Sequence, residues 1–273
     1  MKKSELMSTL ERLAIRPSRS KGQNFLWQDA IFERISKIVP DAATVIEIGT
    51  GPGGLTETLA NRFSRVIGYE IDEGLYRISV ERLSALENVT LIQADFLEAD
   101  LSEFCGSDLS VVGNLPFSIA SQIIFKLIPY QFPMVFMLQK EVGDRLQALV
   151  GSKNYSFFTA LTGYYYEVKK LFPVGPENFY PAPKVSSLLL SFTPRRRDPK
   201  DFDSFREFVK KAFSCRRKML CNNYSEEERG RVEKSLTELG ISLKSRAQEL
   251  KPEQLYKLFE LAKEQFVGLY PIS

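Results

Sequence analysis

Between Val45 and Gly54 the chain reads Val-Ile-Glu-Ile-Gly-Thr-Gly-Pro-Gly-Gly, with four glycines in six positions directly after a β-branched run. Backbone without side chains turns sharply and lets a ligand come close. The apolar run Ala43–Ile48 is short and bounded by glycine, which predicts a strand, and Leu55–Arg62 after it predicts a helix. Strand, glycine turn and helix form the opening unit of a doubly wound sheet. Gly49, Gly51 and Gly54 also satisfy G-x-G-x-x-G. Glu70 follows Gly51 by 19 residues, at the end of a second strand over Arg65–Tyr69. A carboxylate there accepts both hydroxyls of a ribose. NAD and S-adenosylmethionine both carry such a ribose, so these two features leave the choice between them open.

The same alternation continues. Val89–Gln93, Leu109–Val112 and Met134–Leu138 are further short apolar runs, and helical patterns cover 73–86, Ser121–Ile128 and Glu141–Val150. A helix is also predicted over Gln28–Val39. Short strands alternating with helices predict an α/β fold, a Rossmann-like parallel sheet with helices on both faces. From residue 153 the pattern changes. Tyr164–Val168 and Val185–Phe192 predict late strands that close the sheet, joined through a proline-stiffened loop over 176–184. Residues 193–200, Thr-Pro-Arg-Arg-Arg-Asp-Pro-Lys, predict a linker. Helical periodicity over 202–265 predicts a small all-α C-terminal domain. The expected organisation is a basic N-terminal arm over 1–22, a sheet domain over 23–194 and a helical domain over 201–273. Within the arm, residues 1–14 fit either a short amphipathic helix or an unstructured segment.

Composition narrows the chemistry. The 273 residues are 44% hydrophobic, enough for a sizeable core. No apolar run approaches the ~20 residues of a membrane span, and the first residues lack the apolar core of a secretory signal. Cys105, Cys215 and Cys221 make an odd set without metal-ligand spacing, which fits a reduced, cytoplasmic setting and no metal site. There is no histidine. That removes the usual general base, Ser-His and Cys-His nucleophile pairs and most zinc sites. Chemistry therefore falls to carboxylates, amides, aromatics or a cofactor. Net charge is +3 but unevenly spread. Residues 1–21 hold six Lys/Arg against two Glu, and 195–218 hold ten against four Asp/Glu, leaving the remainder net acidic. Each basic segment alone fits a solvated helix face; the pair predicts a polyanion-binding surface.

Three details favour S-adenosylmethionine. Glu47, inside the first strand, can hold an ammonium group directly or through water, whereas a dinucleotide needs room for pyrophosphate. Asp95 and Phe96 end the third strand, where the carboxylate can accept from an adenine amine and the ring can pack beside the base. Asn114-Leu115-Pro116-Phe117 follows the fourth strand. Alone, Glu70 or Asp95 reads as a helix cap or a surface carboxylate. Carboxylates at the ends of strands one, two and three behind one glycine turn read instead as a nucleoside site. Asn-Leu-Pro-Phe can be an ordinary strand exit with a core Phe, but it also has a chemical logic. The amine of adenine is a poor nucleophile because its lone pair is delocalised into the ring. Hydrogen bonds from its two N–H groups to the Asn114 side-chain oxygen and the Leu115 backbone carbonyl draw it toward tetrahedral geometry. Pro116 stiffens the turn, and Phe117 offers a stacking face worth about 1–3 kcal/mol.

Gln23-Asn24-Phe25-Leu26, EIGTGPGGLT, QADF, VVGNLPFSIAS, LQKEVGDRL, PAPKVSS and AFSCRRKMLCNN occur in this order. As an ordered set, running from about Gln23 to the region of Arg246, they resemble the KsgA-type small-subunit ribosomal RNA adenine dimethyltransferases. The resemblance implies an S-adenosylmethionine-dependent methyltransferase domain followed by a small helical RNA-contacting domain. It implies dimethylation of two adjacent adenosines in a hairpin loop near the 3′ end of small-subunit rRNA, on an immature subunit and by a monomer. Cofactor contacts are implied at Asn24, Leu26, Gly49, Glu70, Asp95 and Asn114, to which Glu47, Gly51 and Phe96 are added from their positions. Base contacts are implied at Asn114, Leu115 and Phe117; many members carry Tyr in place of Phe117, so a stacking role carries over and a hydroxyl role does not. RNA contacts are expected from Lys21, from Arg195, Arg196 and Arg197, and from Arg216, Arg217 and Lys218. Phe157, Phe158 and Tyr164–Tyr166 read as core. The related large-subunit methyltransferases of macrolide resistance share the QNFL-like and Asn-Leu-Pro-Phe-like motifs, but PAPKVSS, LQKEVGDRL and the Arg-Arg-Lys stretch lean away from them. DNA adenine methyltransferases usually carry Asp-Pro-Pro where Asn-Leu-Pro stands here. An assembly factor in which binding outweighs catalysis is a further alternative, set against the intact Glu70, Asp95 and Asn114.

Overall fold

In the computed structural model of the chain, residues 3–13, 15, 17, 23–116 and 118–263 are described. The elements are α1 (Lys3–Arg12), β1 (Phe25–Leu26), α2 (Asp29–Ile38), β2 (Thr44–Ile48), α3 (Gly54–Ala60), β3 (Arg65–Glu70), α4 (Glu73–Leu83), β4 (Val89–Gln93), β5 (Leu109–Asn114), α5 (Ala120–Leu127), β6 (Met134–Gln139), α6 (Lys140–Leu146), α7 (Phe157–Tyr165), β7 (Tyr166–Val174), β8 (Phe179–Tyr180), β9 (Ser187–Pro194), α8 (Phe202–Ala212), α9 (Glu226–Glu238) and α10 (Pro252–Lys263). Seven strands form one sheet in the order β4-β3-β2-β5-β6-β9-β7. β2 pairs in parallel with β3 and β5, β3 with β4 and β5 with β6, while β9 runs antiparallel to β6. The chain builds outward from β2 to β4, then crosses to the other side at β5. That reversal makes the C-terminal end of β2 the place where a doubly wound sheet opens a crevice.

The sequence explains the layering. β5 and β6 are buried at every position but their last, as parallel strands covered on both faces must be. Val45, Val112, Val135 and Met137 from the strands pack with Phe32 and Ile35 of α2 and Leu55 and Leu59 of α3. Asp72 starts α4, its side chain accepting from the Gly74 and Leu75 N–H groups. Gly113 on β5 stands beside Ile48 on β2, where a Cβ would lie 2.7 Å from the Ile48 carbonyl oxygen.

The chain divides into two compact units, Met1–Gly143 with Val168–Pro194, and Asp144–Glu167 with Arg195–Ser273. The second is built on aromatic rings. Tyr164 stacks on Tyr256 with centroids 4.3 Å apart, and Phe205 stands edge-on to both at 5.3 and 5.0 Å. Its α9 begins with a capping box in which Ser225 and Glu228 satisfy each other's backbone.

Four details differ from the sequence reading. Tyr164 and Tyr165 end a helix, and the strand expected over Tyr164–Val168 begins at Tyr166 and runs to Val174. Helix α7 buries almost its whole circumference, and a continuous apolar run cannot be told from a buried strand by periodicity. Residues 144–167 accordingly belong with the helical unit, not with the sheet. The loop over 176–184 contains a strand, β8, paired antiparallel with β1. Residues 3–12 form the short amphipathic helix, one of the two expected forms, and the difference is in its burial: Leu6 and Leu10 pack fully buried against Leu75, Ile78 and Phe25, so this part of the expected arm is packed into the sheet unit.

The Gly113–Ile48 approach gives a direct test. Gly113→Ala forces two paired strands apart, and overpacking of this kind costs about 1–3 kcal/mol. The thermal midpoint by calorimetry is expected to drop by several degrees, and an unchanged midpoint would mean that β2 and β5 separate freely.

Candidate active site

A cavity of about 400 Å³ opens where β2, β3, β4 and β5 end. All nine expected cofactor contacts border it: Asn24 and Leu26 from β1 and its approach, Glu47, Gly49 and Gly51 from β2 and its turn, Glu70 from β3, Asp95 and Phe96 after β4, and Asn114 from β5. The titratable groups on its wall are Glu47, Tyr69, Glu70 and Asp95, and no Lys or Arg borders it among the described residues. Three carboxyls and no facing cation make a site suited to a positively charged ligand.

The glycine turn is pinned from three sides. Gly49 and Gly51 take positive φ values of 75° and 52°, conformations open to glycine. The Gly51 N–H donates to Glu70 Oε2 at 2.9 Å, and the Gly51 carbonyl accepts from the Ser79 hydroxyl at 2.6 Å. Glu70 Oε1 accepts from the Asp72 N–H at 2.9 Å. Each Glu70 oxygen thus uses one acceptor direction on the protein and keeps another. Burial raises the Glu70 carboxyl above its ordinary range, and the Asp72 charge adds to this against the lowering effect of the backbone N–H groups of Asp72, Gly51 and Ile71.

Glu47 is 2% exposed, and its Oε2 finds no hydrogen-bond partner among the described residues. Burial pushes its carboxyl up to about 8; the Glu70 charge adds to the rise. The Thr56 hydroxyl opposes it from nearby without completing a hydrogen bond. Asp95 does two things. Its Oδ1 accepts from the Leu97 N–H at 2.8 Å, capping a short turn, and its side chain also borders the cavity. Phe96 is buried and meets Tyr69 edge-on at 5.2 Å.

Asn114 Nδ2 donates to the Asn24 carbonyl at 3.2 Å. A carbonyl only accepts, so the contact turns the carboxamide with its oxygen as the remaining acceptor. Leu115 does not border the cavity. Its side chain is buried and its N–H donates to the Met137 carbonyl at 3.1 Å, so only its own carbonyl can serve a base. Phe117 and Lys21 lie outside the described residues. Tyr69 and Ile71, absent from the sequence expectation, flank Glu70 on the cavity wall, and Ile71 is 63% exposed; their adjacency to Glu70 at the end of an expected strand is the signal the sequence carries.

The expected RNA contacts separate. Arg195, Arg196, Arg217 and Lys218 are exposed. Arg216 instead donates to the carbonyls of Lys153 and of Tyr155, the latter at 2.8 Å, and so ties down the segment before α7. Arg197 lies over the Tyr164 ring at 5.2 Å and 3.9 Å from Glu253. Both guanidiniums are engaged within the helical unit, whereas the side chains of the other described members of the expected set make no such contact with a ring or backbone carbonyl among the described residues. No cluster of metal ligands occurs among the described residues, and no helix among them is long and apolar enough to cross a membrane.

The sequence profile described as Ribosomal RNA adenine dimethylase matches residues 16–264. Ribosomal RNA small subunit methyltransferase A of Thermotoga neapolitana is 40% identical over 257 residues, spanning 92% of this chain and 94% of its own. A dimethyladenosine transferase structure from Plasmodium falciparum superposes with a TM-score of 0.74 at 25% identity, covering 88% of this chain and 98% of its own. The 23S rRNA methyltransferase ErmE superposes with a TM-score of 0.64 at 26% identity, covering 88% of this chain and all of its own.

Glu47 makes stability depend on pH in a predictable direction. An unfolded chain releases the Glu47 proton near the ordinary value of 4.5, and the folded chain keeps it to about 8. Stability from this group is therefore complete below pH 4.5, falls as the pH rises from 4.5 to about 8, and is flat above. Glu47→Gln removes the slope. Without added ligand the variant is expected to match wild type near pH 4.5 and to melt progressively higher toward pH 8, by an amount on the order of a few kcal/mol. Parallel melting curves across that range would refute the buried, unpaired carboxyl.

Proposed function

The chain belongs to the ribosomal RNA adenine dimethylase family, and from that membership we propose that it dimethylates the exocyclic amines of two adjacent adenosines in a hairpin loop near the 3′ end of small-subunit rRNA. The observation that carries the chemistry is the oriented Asn114 carboxamide at the mouth of a cavity walled by carboxyls. The 40% identity to a small-subunit enzyme over 92% of this chain, together with a TM-score of 0.74 to the dimethyladenosine transferase against 0.64 to ErmE, favours the small-subunit substrate over the large.

The residues fit S-adenosylmethionine as cofactor. Its net charge is positive, whereas the pyrophosphate of NAD would face Glu47, Glu70 and Asp95 with no described cation beside it. Glu70 would hold the ribose hydroxyls with its spare acceptor directions, Asp95 the adenine amine and Glu47 the ammonium, whose charge supplies the partner that Glu47 Oε2 lacks. Bound there, the cofactor supplies an electrophilic methyl on a sulfonium. The Asn114 oxygen and the Leu115 carbonyl would accept from the two N–H groups of the target amine and free its lone pair. Phe117 would stack on the base. The amine becomes acidic as it is alkylated, so a chain without histidine needs no strong base, and positioning supplies most of the rate. The substrate is an immature small subunit, the helical domain over 201–273 contacts RNA, and the enzyme acts as a cytoplasmic monomer.

Two measurements test this. Purified wild-type protein with labelled S-adenosylmethionine is expected to place dimethyladenosine in unmodified small subunits, mapped by nucleoside mass spectrometry. Asn114→Ala is expected to lose roughly 100-fold or more of that rate while still binding S-adenosylhomocysteine, because the acceptor acts mainly in the transition state. Near-normal turnover in the variant would sink the acceptor mechanism.

The RNA surface calls for Arg217 and Lys218 rather than the engaged Arg216. Replacing both with Ala is expected to weaken subunit binding, leave cofactor affinity intact and flatten the log–log salt dependence by about 0.7–0.9 per lost phosphate contact. An unchanged slope would place the RNA elsewhere, on the exposed Arg195 and Arg196.

A further inference from the structure

An Asn carboxamide works as an acceptor for an amine only in one of its two orientations. Turned the other way it offers N–H to N–H and contributes nothing. What turns Asn114 is the backbone carbonyl of Asn24, ninety residues earlier in the chain. That carbonyl sits at the entry to β1, and β1 is not part of the main sheet. It is held by β8, with Phe25 opposite Tyr180 and Leu26 opposite Phe179. The Trp27 N–H donates to the Asn178 carbonyl at 3.3 Å and extends the pairing. Phe25, Leu26 and Phe179 are all buried. The 176–184 loop, which no step of the chemistry uses, thus fixes the place of one carbonyl oxygen.

We propose that the Asn24 carbonyl, held in place by the β1–β8 pair, is the positioning group that keeps the Asn114 carboxamide oxygen turned toward the target amine. The proposal rests on the methyltransferase reading above and adds to it a source for the orientation. It makes β8 a positioning element for catalysis, acting through Asn24 on Asn114.

The test is Asn114→Asp. When ionised, the new carboxyl has no proton to give the Asn24 carbonyl, and oxygen faces oxygen. When protonated, its O–H donates to Asn24 and its C=O faces the amine, which restores the wild-type pattern. The charged and titratable groups around it are Glu47 on β2, Tyr69 and Glu70 on β3 and Asp95 after β4, with no described Lys or Arg. The neighbouring carboxyls favour the protonated form of a fourth and the positive charge of the bound cofactor favours the ionised form; wherever that balance falls, the protonated fraction grows as the pH drops. Rates on unmodified small subunits at saturating cofactor are therefore compared with wild type from about pH 8.5 to about pH 6. The variant-to-wild-type ratio is expected to be low at the alkaline end. It should rise about tenfold per pH unit as the pH falls, until the carboxyl is mostly protonated. If Asn114 serves only as an acceptor, with no need of Asn24, the ionised carboxylate is the better acceptor; a ratio that is flat or rises with pH overturns the proposal.

A second readout does not use activity. In protein labelled with nitrogen-15 at Asn, the Asn114 carboxamide signal is identified by its loss in Asn114→Asp. Its proton exchange is expected to be about tenfold slower than that of exposed Asn carboxamides. Exchange at the free rate overturns the proposal. Failure of wild-type protein to methylate small subunits would count against the function and leave this measurement standing.

Discussion

The Glu70 carboxylate joins the parts on which the site depends. One oxygen takes the Gly51 N–H from the turn after β2, and the other takes the Asp72 N–H at the start of α4. Asp72 in turn caps α4, and Ser79 of the same helix donates back to the Gly51 carbonyl. A closed ring of hydrogen bonds therefore holds the glycine turn, the end of β3 and the first turns of α4 as one piece. Glu70 is buried against its own solvation preference, and its carboxyl is pushed up for that reason. The backbone donors that offset this cost shape the cavity.

The same economy appears at β2 and β5. Gly113 lets β5 lie against Ile48 with no room for a methyl group. The approach brings Asn114 to the end of β5 beside the turn after β2, so the Asn114 carboxamide and the carboxyls of Glu47, Glu70 and Asp95 border one cavity. Glu47 stands one strand away with an unpaired oxygen. A wall of carboxyls without a neighbouring cation is unfavourable when empty of positive charge and favourable once a cationic ligand arrives, which is a physical basis for selectivity.

Much of this was legible in the sequence, for definite reasons. Parallel strands buried on both faces read as short apolar runs, and the β2 turn declares itself through four glycines. The residues that reach the cavity sit at strand ends, so the alternation of strand and helix locates them. Other features gave no signal. α7 is apolar on nearly all sides, so its pattern matched a strand. β8 is two residues long inside a proline-rich loop, and its partner β1 lies some 150 residues away in sequence. Arg216 and Arg217 are adjacent and chemically identical, yet the first holds two backbone carbonyls and the second faces solvent; only the fold distinguishes them. From sequence alone Asp95 reads as either a cap or a ligand contact; its Oδ1 caps the turn at Leu97, and the residue also borders the cavity.

A chain without histidine carries out amine chemistry only if the amine is prepared by geometry. An acceptor pointing the right way does for the adenine nitrogen what a base does for a hydroxyl: it moves electron density to the reacting atom as the bond forms. A base can rotate and exchange its proton with water, but an acceptor must be held. That difference accounts for how much structure converges on one carboxamide: β5 delivers Asn114 through the Gly113 contact, Asn24 turns it, and β8 holds Asn24. Catalysis of this kind places its sequence requirements on packing and backbone pairing far from the reacting atoms, and those requirements leave little trace in the identity of any single catalytic side chain.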